Sequence, residues 1–188
     1  MKILSGKLKG RNFYMPKGVR PTQDVVRKAI CDFLGQDLTG ITFLELFAGS
    51  GAMGLEAISR GAKEVIFVER ERLCLKTIQE NITLLNSRIS KDLSFTCDVL
   101  AEDALMAIKH LAYDKRKFDI IFVDPPYGLE LAKKTLKTLE AYDIVHADSF
   151  VIIQHDKHET LPETQGRFLV IRQRNYGSTV VTVYKIQR

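Results

Sequence analysis

Cysteine is scarce in this 188-residue chain: Cys31, Cys74 and Cys97 stand far apart, and no C-x-x-C pair occurs. Three scattered thiols exclude a disulfide framework and a zinc site of ordinary spacing. They read instead as buried or half-buried free thiols in a reducing cytoplasm. No apolar run approaches the roughly 18–20 residues of a membrane span. The opening Met-Lys-Ile-Leu-Ser-Gly-Lys is too polar to serve as a signal peptide. Internal repeats and low-complexity tracts are also missing. With 45% apolar and 27% charged residues, the chain reads as one ordinary domain with a sizeable core and at most a small appendage.

Negative charge is nearly absent from the beginning of the chain. Residues 1–28 carry eight Lys and Arg against Asp24 alone, a net +7, which leaves −2 for the rest of a chain of net charge +5. A basic end on a near-neutral body suggests a polyanionic partner, with a solvated basic face as the alternative.

Turn residues then divide the chain. Residues 1–15 hold two apolar pieces around Ser5-Gly6-Lys7-Leu8-Lys9-Gly10-Arg11, which predicts a basic hairpin. Thr22 is a candidate N-cap for a helix running to Leu34, with Gly35 as its stop. From residue 41 strands and helices alternate. Strands are predicted at 41–46, 64–68, 93–97, 118–123 and 150–153. Helices are predicted at 52–59, 73–85, 102–111 and 129–139. Two β-rich stretches, 167–172 and 178–186, close the chain as an antiparallel hairpin. This is the pattern of a mostly parallel α/β sheet with helices on both faces.

In such a sheet, ligands bind beyond the carboxyl ends of the strands. Three predicted strand ends carry chemistry. After the first, Gly49, Gly51 and Gly54 have the G-x-G-x-x-G spacing of a nucleotide-binding turn, which admits close backbone approach and aims the N–H groups of a helix start at a ligand. After the second comes Glu69, placed to accept hydrogen bonds from ribose hydroxyls. After the fourth comes Asp124-Pro125-Pro126-Tyr127, which offers carboxylate and carbonyl acceptors, a stiff backbone and a flat ring for a planar base. No partner pattern surrounds His110, His146, His155 or His158; of these, His155 alone falls where it could meet a substrate.

The turn Glu45-Leu46-Phe47-Ala48-Gly49-Ser50-Gly51, Glu69 and Asp124-Pro125-Pro126-Tyr127 together resemble a class I S-adenosylmethionine-dependent methyltransferase acting on an exocyclic base nitrogen. The Ser5–Arg11 stretch, Val19-Arg20-Pro21-Thr22-Gln23-Asp24 with Arg27, and the Tyr176-Gly177 tail resemble the RsmD family, over essentially the whole chain. That family makes N2-methylguanine in bacterial 16S ribosomal RNA. The resemblance implies a Rossmann-like, mostly parallel seven-stranded sheet with a C-terminal antiparallel hairpin. It implies a basic RNA-binding extension over 1–35 and a methyltransferase domain over 36–188.

S-adenosyl-L-methionine is the implied cofactor, at Glu45, Phe47, Ala48, Gly49, Gly51, Glu69, Arg70, Asp103 and Ala104. Asp124, Pro125, Pro126 and Tyr127 are the implied catalytic group. Lys7, Lys9, Arg11, Arg20, Thr22 and Arg27 are the implied RNA contacts. No metal is expected. The implied partner is 16S rRNA in the small subunit or an assembly intermediate, met by a cytoplasmic monomer. The chain departs from the family at Gln154 and Lys28, where Glu is frequent. A DNA adenine-N6 or cytosine-N4 methyltransferase shares the Asp-Pro-Pro-Tyr logic but needs a target-recognition domain that the short chain does not show. A non-catalytic RNA-binding assembly factor and a nicotinamide dehydrogenase are the remaining alternatives.

Overall fold

The computed structural model of the chain describes residues 1–18, 24–86 and 94–187. Five helices and five strands alternate in it: α1 (Asp24–Leu34), β1 (Thr42–Leu46), α2 (Ala52–Ser59), β2 (Glu64–Glu69), α3 (Arg72–Asn86), β3 (Thr96–Ala101), α4 (Ala104–Tyr113), β4 (Phe118–Val123), α5 (Leu131–Ala141) and β5 (Val145–Asp156). Strands β6 (Thr164–Gln165), β7 (Phe168–Tyr176) and β8 (Thr179–Ile186) follow without a helix. The sheet order is β3-β2-β1-β4-β5-β8-β7-β6. Strands β1 to β5 pair in parallel, and β5 with β8, β8 with β7, and β7 with β6 in antiparallel fashion. The expected architecture is therefore present, with the two-residue β6 added as an eighth strand. The order reverses between β1 and β4, the switch point where such sheets hold ligands.

Both faces of the sheet are covered at its central strands β1, β2 and β4, so these strands are mainly apolar. Phe43, Val65, Phe67, Ile120 and Phe122 point to one face and pack with α1, α2, α3 and the N-terminal segment. Leu44, Leu46, Ile66, Val68, Ile121 and Val123 point to the other, against α4 and α5. Alternation with a period of two assigns each residue to its side. Gly54 belongs to this packing. A Cβ there would lie 2.3 Å from Phe67 Cε1, so its hydrogen lets α2 lie close on β2.

The third strand is displaced from its expected place, at Thr96–Ala101 rather than 93–97. It is the outer strand of the parallel half, where Thr96 and Asp98 face solvent and the apolar signal fades. Leu93 itself lies outside the described residues.

The N-terminal segment is hairpin-like but has a single bridge, Lys2 with Asn12. It is docked on the body. Ile3, Leu8 and Phe13 are buried in the core. Gly6, at φ 79°, passes so close to Ser59 that a Cβ would overlap its carbonyl. The Lys7 amide donates to Ser59 O at 2.6 Å, and the Leu8 amide to Ser59 Oγ at 2.9 Å. These contacts leave Lys7 and Lys9 exposed and Arg11 half-buried.

Arg27 corrects one expectation. The resemblance implies an RNA contact there, yet its side chain is wholly buried. Its Nη2 donates to Lys2 O and Asp24 Oδ1, each at 2.9 Å, its Nη1 lies 3.6 Å from Glu56 Oε1, and its guanidinium lies over the Phe13 ring. Arg27 ties the N-terminal segment and α1 to α2. Arg20 and Thr22 fall outside the described residues.

Candidate active site

The ends of β1, β2 and β4 open onto a cavity of about 670 Å³, a volume typical of small-molecule sites. The turn after β1 shapes its floor. Phe47 at φ 59°, Gly49 at φ 57° and Gly51 at φ 76° are left-handed, and only the glycines take that conformation without steric cost. The Ala48 amide donates to Val68 O at 3.0 Å, which folds the turn across the end of β2.

Glu45 is buried beneath this turn. Its carboxylate accepts from the Met53 amide at 3.2 Å and the Gly54 amide at 2.7 Å. It thus supplies the acceptor that the N-cap residue Gly51 lacks. The glycine spacing predicts N–H groups of a helix start aimed at a ligand; those of Met53 and Gly54 are directed to Glu45. Burial pushes the Glu45 pKa up to about 8; Gly54 and Met53 oppose this, and the Asp124 and Glu69 charges add to it. Glu69 is similarly held. Its Oε2 accepts from the Gly49 amide at 2.8 Å and its Oε1 from the Arg70 and Glu71 amides at 2.7 and 2.9 Å. Four acidic residues from neighbouring strand ends, Glu45, Glu69, Glu102 and Asp124, therefore meet one cavity, an electrostatic setting that favours a cationic ligand.

Asp124, Pro125, Pro126 and Tyr127 line the same cavity. The Asp124 amide lies 3.4 Å from Leu46 O, which joins the ends of β4 and β1. The Tyr127 hydroxyl is 2.9 Å from Thr179 Oγ1 at the start of β8.

Of the expected cofactor residues, Glu45, Phe47, Ala48, Gly49, Glu69, Arg70 and Ala104 line the cavity. Gly51 and Asp103 do not. Gly51 forms the α2 N-cap, and the Asp103 side chain caps α4 by accepting from the Leu105 amide at 2.9 Å, 3.4 Å from Arg70. His155 is turned away: its Nε2 meets Thr182 Oγ1 at 2.9 Å and burial lowers its pKa. Met15, Ser50, Thr179 and Gln154 also line the cavity. The sequence signalled only Gln154 among these, as a departure from the family pattern. On β7, Arg172 and Arg174 are exposed, with the Arg172 guanidinium over Phe33. Neither stood out from the sequence.

Comparison with known proteins bears on the family and the fold. A family profile described as Conserved hypothetical protein 95 matches residues 1–185. YlbH of Bacillus subtilis (strain 168) is 36% identical over 98% of each chain. Ribosomal RNA small subunit methyltransferase D of Buchnera aphidicola (subsp. Acyrthosiphon pisum) is 33% identical, over 85% of this chain and 80% of its own. Among solved structures, yhhF from Escherichia coli superposes with a TM-score of 0.83 at 24% identity, over 100% of this chain and 98% of its own. An RNA methyltransferase from Salinibacter ruber in complex with S-adenosyl-L-homocysteine gives 0.64 at 16% identity, over 90% and 95%.

The sheet order, with the likeness to these solved methyltransferases, gives the chain the class I S-adenosylmethionine-dependent methyltransferase fold. The chain belongs to the RsmD family, that of the ribosomal RNA small subunit methyltransferase D proteins.

Proposed function

We propose that this protein transfers a methyl group from S-adenosyl-L-methionine to the exocyclic N2 amine of a guanine in 16S ribosomal RNA. The observation that carries the reading is the position of Asp124-Pro125-Pro126-Tyr127 on the wall shared with Glu45 and Glu69. Acceptors for an exocyclic amine and an acidic cradle for a cation thus meet in one space.

The residues present fit the cofactor. Glu69 offers a carboxylate for ribose hydroxyls, and Glu45 sits where charge complementarity favours a cation. The proposed cofactor set is Glu45, Phe47, Ala48, Gly49, Glu69, Arg70 and Ala104. When bound, S-adenosyl-L-methionine supplies an electrophilic methyl group on positively charged sulfur. Asp124 and the Pro125 carbonyl accept the two N2 hydrogens, which aims the nitrogen lone pair along the transfer axis. As N2 gains the methyl group it becomes cationic, and the Asp124 carboxylate opposes that charge. One N2 proton then leaves through Asp124. Tyr127 stacks on the base, held in orientation by Thr179. The base reaches the cavity only by leaving its stack.

Residues 1–35 form the RNA-binding part and 36–188 the catalytic part of this reading. Lys7, Lys9 and Arg11, with Arg172 and Arg174 of β7, supply the phosphate contacts. The chain acts as a monomer in the cytoplasm.

The test is Asp124→Ala. Methyl transfer should fall by roughly 100-fold or more, with cofactor affinity changed by less than about threefold. Turnover at the wild-type rate in that variant would refute the assignment.

A further inference from the structure

Strand β5 runs past the Val123–Ile153 pair, so the next residue, Gln154, stands beside Asp124 at the ends of neighbouring strands. Gln154 lines the same cavity and is only 6% exposed. Its carbonyl oxygen is buried without a hydrogen-bond partner among the described residues. Buried acceptors are nearly always paired, so an exception beside a reaction centre points to a donor that arrives with the ligand.

The sheet order says which ligand. The acidic cradle of Glu45 and Glu69 belongs to β1 and β2, on one side of β4, and β5 lies on the other. Gln154 is therefore across Asp124 from the cradle, on the side left for the base. Its neighbours do not compete for the role. Tyr127 and Thr179 hold each other, and His155 is turned to Thr182.

Resting on the guanine-N2 reading of this site, we infer that Gln154 is a specificity-determining residue whose carbonyl oxygen accepts the N1–H of the target guanine. In guanine the N1 hydrogen and one N2 hydrogen lie side by side on the Watson–Crick edge, and the second N2 hydrogen follows them on the N3 side. The acceptors of Gln154, Asp124 and Pro125 match those three donors. Adenine N1 and cytosine N3 carry lone pairs there, which a carbonyl repels. The residue thus selects guanine by the atom adjacent to the one that is methylated.

The experiment removes the atom from the base and the acceptor from the protein. An RNA carrying the mapped target guanine is compared with the same RNA carrying 2-aminopurine, which keeps the N2 amine but has neither N1–H nor O6. The full-length wild type should prefer guanine by roughly 10- to 100-fold in kcat/KM. Gln154→Leu should bring guanine down to within about threefold of 2-aminopurine, with an unchanged Kd for S-adenosylmethionine. Gln154→Glu keeps an acceptor and should keep at least about a tenfold preference.

Undiminished discrimination in Gln154→Leu would overturn the inference, as would lost discrimination in Gln154→Glu. Should Gln154→Leu not fold, the wild type and Gln154→Glu still decide: equal use of both bases by either refutes it. A wild type that makes no N2-methylguanosine on any RNA refutes the guanine-N2 reading itself. That outcome is distinct from N2 methylation without a preference for N1–H.

Discussion

The Tyr127 hydroxyl and Thr179 Oγ1 lie 2.9 Å apart, which ties the loop after β4 to the first residue of β8. The parallel half of the sheet thus borrows rigidity from the antiparallel half at the mouth of the cavity. Without this bond the ring is freer to rotate. Tyr127→Phe and Thr179→Val should each lower kcat/KM for RNA by about 3- to 10-fold, the worth of one neutral hydrogen bond. The double variant should be no worse than either single one. Tyr127→Ala also removes the stacking surface and should cost about 10- to 100-fold. Steady-state kinetics with cofactor affinity as the control checks all four.

In the proposed site Glu45 should make cofactor binding depend on pH. Its pKa is raised from the ordinary 4.5 to about 8, chiefly by burial. The folded chain therefore holds this proton more tightly than the unfolded chain does. Its contribution to stability is full below about pH 4.5 and is lost as pH rises toward 8. A cationic cofactor acts in the opposite sense. It favours the carboxylate, so at pH 7 binding should release a proton, and affinity should rise with pH and level off above about 8. Titration calorimetry in two buffers of different ionisation enthalpy reads that proton directly. Glu45→Gln should abolish the release and flatten the profile.

Arg27 should behave as a structural cation. Arg27→Ala leaves Glu56 buried without its closest guanidinium. It should destabilise the fold by about 3–5 kcal/mol. Urea unfolding measures this loss. At a temperature where the variant is folded, the salt dependence of RNA binding should match the wild type.

The exposed basic residues predict the reverse. Lys7→Ala with Lys9→Ala should leave unfolding within about 0.5 kcal/mol of wild type and lower the salt slope of RNA binding by up to about 2. Arg172→Ala with Arg174→Ala should do the same if both meet phosphate. Filter binding between 50 and 200 mM salt, the usual range for such slopes, tests both pairs.

These contrasts show what was legible in the sequence. Helix α2 and strand β4 lie where the pattern put them, because each is a mainly apolar run closed by a strong breaker. The cavity-lining strand ends were legible too, since parallel sheets hold ligands beyond the carboxyl ends of their strands at the switch point. Strand β3 shifted because an outer strand buries few side chains. Arg27 misled because its charge is answered by Glu56, 29 positions away, and composition carries no record of that pairing. Thr179 was invisible for a like reason: its partner Tyr127 is 52 residues distant. Gly51 keeps the motif spacing and Asp103 the family resemblance, yet both shape helix starts rather than the cavity wall.

The central claim is that the cavity methylates guanine N2 of small-subunit RNA, and identification of the product nucleoside tests it most directly. Naked 16S rRNA, small ribosomal subunits and duplex DNA are each incubated with the protein and methyl-labelled S-adenosylmethionine, then digested and separated. The account predicts label in N2-methylguanosine from 16S rRNA, free or in the subunit, and none with Asp124→Ala. Label in a methylated adenine or cytosine, or in N2-methylguanosine at undiminished yield with Asp124→Ala, would contradict it.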